Sequence, residues 1–537
     1  MKSKFAAALL LMAVLCPFVA AEQGHHHDFD PNEKLGTVHF PITCKTAVQK
    51  PFERGVALLH TFWYDQAMAQ FKEIETQDAA CGMAYWGEAM SLYHQLWDQP
   101  DKETVAHGLE LMKKAEAAGA RSEREREYIA ALTVFYSDSE KMDHDARAGA
   151  YAGAMEKLWK DHPEDHEAGA FYALSLLGSA PPKDTTFANQ KKAVAILDKL
   201  FEQEPNHPGI PHYIIHSCDS PQLAPLGLNA ARRYAKIAPS APHAVHMPGH
   251  IFARLGYWQE DIEVNVASVA AAERTHSTGH ELHALDFLNY AYLQTGQNAK
   301  AKEAIAKAAA IKQMEDMQDM QEYLEYARVG FPATYVLETR DWKAAVNLEV
   351  PEGIHSQVTT IAYWTHAVGA GHLHDAKTAE TALQQYNDAV EKMKGTKYEY
   401  MIQYMDTNRE EIRAWLAFAN GKNDEAVTIM RSVADKQDSL GKGEVELPAR
   451  EMLADMLLET KQYEAALAEF ENSMKVDPNR FNGLYGAAKA AELAKQPEKA
   501  HRYYAQLLKN CEGSNSDRPE LARARERLAA GAAVGGK

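Results

Sequence analysis

Basic charge is in short supply in this chain. Lys and Arg number 57 against 75 Asp and Glu, which leaves a net charge of −18. An acidic surface of that size argues against nucleic acid or an anionic membrane as the main partner. Long apolar runs are also missing. After Phe5–Leu15 no stretch approaches the roughly 18 apolar residues of a membrane span, so the chain is not expected to cross a membrane. Period-two alternation is nearly absent, which excludes a sheet. No G-x-x-x-x-G-K-[ST], G-x-G-x-x-G after a strand, or G-x-S-x-G occurs, so phosphate-loop, dinucleotide and serine-hydrolase chemistry have no motif to stand on. The five cysteines among 537 residues are too few for a disulfide scaffold.

What is present begins with a basic start at Lys2 and Lys4, the apolar run, and small residues at Val19-Ala20-Ala21. This is the pattern of a secretory signal over 1–21, cut after Ala21, and it predicts a periplasmic or secreted protein. Leu15 before Cys16 is a poor fit for lipoprotein processing. In an oxidising compartment, Cys44 and Cys81, which flank one helix pair, are the expected disulfide; the alternative is two separate buried thiols. His25-His26-His27-Asp28 lies in a tail, 22–46, expected to be solvated.

From Ala47 onward amphipathic helix follows amphipathic helix, with a period near 34. Ala454, Leu457, Tyr463, Ala466, Phe470 and Pro478 carry the small and large positions of a tetratricopeptide unit. Leu484, Ala488, Ala500, Tyr504 and Leu507 continue it. Gly55, Leu58, Ala67 and Phe71 match the same template near the other end, as do Ala193, Leu197, Leu200 and Pro205. Small residues let helix backbones approach, large ones fill the groove, and proline ends the second helix. The fold class is therefore all-α, a tetratricopeptide-like helix-turn-helix solenoid with a right-handed superhelix. N-terminal repeats span 47–160, central His-rich repeats 161–311, degenerate repeats 312–446, and a C-terminal pair 447–514. A terminal helix and disordered tail take 515–537. Exposed breaks are expected at 178–189 and 436–447. Trp63, Tyr64, Trp86 and Trp97 read as core, and Glu322, Glu325, Tyr326 and Arg328 as a solvated face. Such solenoids hold a protein or peptide on a concave surface.

Nine of the 24 histidines fall between Pro205 and Asp286. His212 and His216 lie about 40° apart on a helix, and His243, His246 and His250 span about 60°, so each set is expected to share a face. Tyr213 stands where a zinc protease has its Glu, which excludes that chemistry. His207 precedes Pro208-Gly209 and is expected at the rim of the site. His280, His283 and Asp286 follow at i, i+3 and i+6; Asp286 either orients an imidazole or completes a two-His-one-carboxylate set. Imidazole sets of this kind suit Zn, Cu or Fe. Met247 and Cys218 are possible soft neighbours, and His94 could join only if the solenoid curls back. The alternatives are a metalloenzyme in which Asp286 or Tyr213 assists proton transfer, and histidines that only shape a groove.

The segments FERGVALLHTFWYDQAMAQF, CGMAYWGEAMSLYHQLW, HPGIPHYIIH, PHAVHMPGHIFARLGYW and DPNRFNGLYGAAKAAE resemble those of exported bacterial tetratricopeptide-repeat proteins. The resemblance covers nearly the whole chain after the signal. It implies the solenoid and export, and no activity. In those relatives the position of Cys218 often holds another residue.

Overall fold

The computed structural model describes residues 32–535 except 97–98, 182–183, 317–321, 441–442 and 444. The signal segment, its cut site, His25–His27 and Trp97 lie outside the described residues. The described residues are α-helical with no strand among them, from Gln49–His60 to Pro519–Gly535. Each helix packs on the one before and the one after it, as short turns between helices require. The molecule is an all-α, tetratricopeptide-like solenoid.

One turn, used repeatedly, makes it so. Phe62, Gly256, Gly296, Arg340, His374, Gly421, Lys461 and Lys495 all have φ between 54° and 73°. Each stands two residues before a helix begins. The next residue donates its N–H back five positions: Trp63 to Leu58 O at 3.0 Å, Tyr257 to Phe252 O at 2.8 Å, Gln462 to Leu457 O at 2.9 Å, and likewise in the other five. This is a Schellman closure, in which a left-handed residue satisfies the last carbonyls of one helix and reverses the chain into its partner. The spacing is 34 residues from Arg340 to His374 and from Lys461 to Lys495, but 40 to 47 between the others from Gly256 onward. The period near 34 therefore holds locally, and the middle repeats are longer.

Within a unit the apolar spacing dictates the packing. The Tyr463–Val476 helix buries Ala466, Leu467, Phe470 and Ser473, one face at i, i+1, i+4 and i+7. Glycine permits the crossings: a Cβ on Gly486 would sit 2.3 Å from the Phe470 ring. Trp63, Tyr64 and Trp86 are core residues.

Three expectations are corrected. From Lys34 the N-terminal stretch is a packed strap, because Leu35, Val38 and Phe40 are apolar and buried. It is pinned by Thr37 N–H to Asn206 O (2.9 Å), Lys45 N–H to Asp78 (2.8 Å) and the Cys44–Cys81 disulfide, and Phe40 packs on Phe52, Trp86 and Tyr128. The Asn423–Leu440 helix runs into the break expected from 436, and the last helix continues to Gly535, where alanine favours helix over the expected irregular tail.

Candidate functional site: two imidazole triads

The central histidines lie on four helices. Gly209–Cys218 supplies His212 and His216, Pro242–His246 supplies His243 and His246, Pro248–Leu255 supplies His250, and Thr278–Gln294 supplies His280, His283 and Asp286. His243, His246 and His250 do not act as one face. The helix restarts at Pro248, which has no N–H to give, yet the division falls between His243 and His246 on the same short helix, because each meets a different neighbouring helix. His243 joins His212 and His216, with one ring nitrogen of each within 4.8 Å of the others; His246 joins His250 and His283 on the same criterion.

Hydrogen bonds set the tautomers. His212 Nδ1–H donates to the His60 carbonyl at 2.6 Å, since a carbonyl only accepts, so its Nε2 carries the lone pair. That Nε2 lies 3.1 Å from His216 Nε2. In the second triad His246 Nδ1–H donates to Asn265 Oδ1 at 2.6 Å. The amide orientation is set by Asn265 Nδ2, which donates to Asp261 Oδ1 at 2.6 Å. His250 Nδ1–H donates to Asp219 Oδ2 at 3.0 Å. The Nε2 atoms of His246 and His250 then face each other at 3.0 Å. His283 Nδ1 lies 3.2 Å from Tyr323 Oη, whose O–H points to Asp286 Oδ2 at 3.4 Å. Asp286 is thus one tyrosine removed from the imidazole it was expected to touch. Burial holds His212, His243 and His246 well below the ordinary imidazole pKa, so these rings are neutral at neutral pH, the state that binds metal.

The remaining expected residues go elsewhere. His207 is not at a rim: it is 2% exposed and forms a separate group with His60 and Glu167. There Glu167 Oε2 accepts from His60 at 2.8 Å and Oε1 from His207 at 3.0 Å; His207 Nδ1 accepts from Gly209 N–H at 3.1 Å and Ile210 N–H at 3.2 Å. Tyr213 O–H donates to His60 Nδ1 at 2.8 Å, so it points into this group and away from the triads. The ring nitrogens and carboxylate oxygens are committed, and the two imidazoles hold the Glu167 carboxyl well below the usual range against burial. This group braces three helices. His280 faces Asp316 at 3.8 Å and lies outside both triads. His94 stacks on Tyr64. Cys218 points to the helix crossing at Gly227, and burial pushes its thiol up to about 12. Tyr326 is no part of a solvated face; it stacks on Tyr323 and lines the cavity described below.

His60, Glu167, Asp219, Asn265 and Tyr323 were not singled out from the sequence. Their only local signal is a polar residue among apolar neighbours. The two Pro-Gly steps are explained by them: a Cβ on Gly209 would lie 2.3 Å from His60 Nδ1, and one on Gly249 would lie 2.8 Å from Asn265 Nδ2.

A cavity of about 1370 Å³ borders the second triad through Asp219 and Arg254. Arg254 Nε donates to Asp219 Oδ1 at 3.0 Å, the carboxylate that also holds His250. Gln357, Trp364 and Glu411 also line it.

Fold and site together define the class, an all-α helical-repeat protein with buried imidazole clusters. No family model matches the chain, and no curated protein does. Among solved structures, it is similar to human IFIT1 in a dimer with m7Gppp-AAAA, at 13% identity over 80% of this chain and 90% of that one, TM-score 0.38. It is also similar to a chain of the APC/C hetero-tetramer Cut9–Hcn1 (12%, 90% and 89%, 0.33) and to the TPR domain of P58(IPK) (15%, 68% and 99%, 0.22). All three scores lie below 0.5, so the fold assignment rests on the helix pairs and turns described above.

Proposed function

We propose that this chain is an exported tetratricopeptide-like scaffold that holds a transition metal (Zn, Cu or Fe) on its central histidines and binds a protein or peptide partner. Export is supported by the N-terminal basic, apolar and small-residue pattern, and a protein rather than nucleic-acid partner by the net charge of −18. One observation carries the metal reading. His246 and His250 each give their Nδ1–H to a protein acceptor and turn Nε2 toward one another at 3.0 Å. Two lone pairs so placed repel unless a proton or a metal ion stands between them. An imidazole held through its far nitrogen by a carboxylate or carbonyl is the usual support of a metal ligand. Two ligands at about 2.0–2.1 Å from a tetrahedral ion are roughly 3.4 Å apart, close to what is seen. The test is elemental analysis of protein purified without an affinity tag and with residues 22–30 deleted. Near-stoichiometric zinc, copper or iron is expected. No metal after purification, and none taken up on titration, would leave the histidines as groove residues.

The 1370 Å³ cavity beside Asp219 and Arg254 favours a second reading, a metalloenzyme whose ion keeps an open position toward that space. Asp286 accepts from Tyr323, whose hydroxyl lies 3.2 Å from His283 Nδ1, and would assist there through that hydroxyl. Turnover of hydrolytic or oxidative substrate panels by the metal-loaded protein, lost on His250→Ala, would decide for it.

A further inference from the structure

We infer that the central repeats bind two metal ions, one per triad, in separate sites of different character. This rests on the metal reading above and goes beyond it in number and kind. The first site is His212, His216 and His243; the second is His246, His250 and His283. They share no ligand. They are adjacent: His243 and His246 share the Pro242–His246 helix with ring centroids 6.2 Å apart, and Asp219, three residues after His216, holds His250. Each triad repeats the same construction: a facing Nε2 pair, at 3.1 Å in the first and 3.0 Å in the second, with at least one ring fixed in its tautomer by a buried acceptor. In the second pair both Nδ1–H groups are given to acceptors, so a proton or an ion must stand between the Nε2 atoms; in the first, either a His216 Nε2–H or an ion shared with His243 meets the His212 Nε2 lone pair.

The surroundings differ. The first triad sits in an aromatic box: Phe62 packs on all three rings at centroid distances of 4.3 to 5.8 Å, and Tyr234 stacks on His212 at 5.2 Å. The acceptor that orients His212 is a neutral backbone carbonyl. The second triad is backed by three carboxylates, Asp219 directly on His250, Asp261 through Asn265 on His246 and Asp286 through Tyr323 on His283, and it adjoins the cavity. Negative charge behind a ligand raises its basicity and offsets the charge of a dication. The second site is therefore the tighter one for Zn²⁺ and the one that exchanges through the cavity.

Equilibrium dialysis against Zn²⁺ tests this on the full chain after chelator treatment, with His25, His26 and His27 replaced by alanine. Two equivalents are expected, filling in two steps. Asp219→Asn, which keeps the shape and loses the charge, should weaken the tighter step 10- to 100-fold and leave the other unmoved. His212→Gln should remove the weaker step alone, and His246→Gln the tighter one alone; helicity by circular dichroism reports folding of each. One equivalent, or loss of both steps from a single histidine substitution, would overturn the two-site inference and leave a single shared site. No uptake at all would overturn the metal reading itself. If a histidine variant unfolds, the Asp219→Asn pattern decides: equal weakening of both steps contradicts separate sites.

Discussion

Single residues in this molecule are governed by what burial does to a polar group. Glu411 lies at the cavity wall, 3% exposed, with Trp364 Nε1–H donating to it at 2.7 Å. Burial, with a smaller push from Glu446, raises its carboxyl from 4.5 to about 8. Between those values the unfolded chain loses the proton and the folded chain keeps it. Stability therefore falls as pH rises through that window, by up to about 1.4 kcal/mol per pH unit, and levels off above it. Glu411→Gln keeps an acceptor for Trp364 and removes the titration. Urea unfolding at pH 5, 6.5 and 8 should show the variant gaining on the parent by about 2–4 kcal/mol from the lowest pH to the highest. A constant difference would mean that Glu411 is ionised in the folded state. The sequence gives little hint of this residue, because its burial is created by Trp364, 47 positions away. The histidines were legible for the opposite reason. Their spacing along single helices is local, so His212 with His216 could be placed by counting, whereas His280 and His283, on one helix, face different partners. The division between His243 and His246, and the partners Asp219, Asn265 and Tyr323, depend on which helices meet.

At the scale of helices and turns, two kinds of glycine make different predictions. Gly421 is a turn residue with φ 73° and open space where a Cβ would be, so Gly421→Ala isolates the backbone cost. About 1 kcal/mol of lost stability is expected, measured by denaturant unfolding. Gly486 is helical, and its missing Cβ makes room for Phe470. Gly486→Ala should cost about 1–3 kcal/mol, and Phe470→Leu in the same chain should return part of that, because the two changes share one contact. Equal and additive effects would remove the packing explanation. The N-terminal strap is the third element of note. The Cys44–Cys81 bridge closes a 37-residue separation, and serine at both positions should lower stability by about 4 kcal/mol on loop-entropy grounds. Helix type and most helix positions could be read from the sequence, since 3.6-residue periodicity is local. The strap could not, because Leu35, Val38 and Phe40 show no period and are ordered by surfaces from several repeats.

Across the whole molecule, the C-terminal pair is fastened back onto the central repeats. Arg480 is 1% exposed and lies 2.7 Å from Glu338 and 3.0 Å from Glu451, with Tyr290 also in hydrogen-bond contact. Phe481 N–H donates to Gln294 Oε1 at 2.9 Å, and Trp258 Nε1–H to Asn479 O at 2.8 Å. Arg480→Met would leave two buried carboxylates without their cation, at a cost of about 3–5 kcal/mol in unfolding free energy. Adding Glu338→Gln and Glu451→Gln should recover most of it. Failure of the triple variant to recover would place the loss in packing rather than charge. The sequence by itself determined the all-α class, the repeat of helix pairs and the concentration of imidazoles between Pro205 and Asp286, because each is written in short-range spacing. Only the tertiary structure decided that these imidazoles divide into two triads and a braced Glu167 group, and that a cavity adjoins one of them. Those outcomes depend on contacts such as the His60 carbonyl with His212, 152 residues apart, which no local pattern encodes.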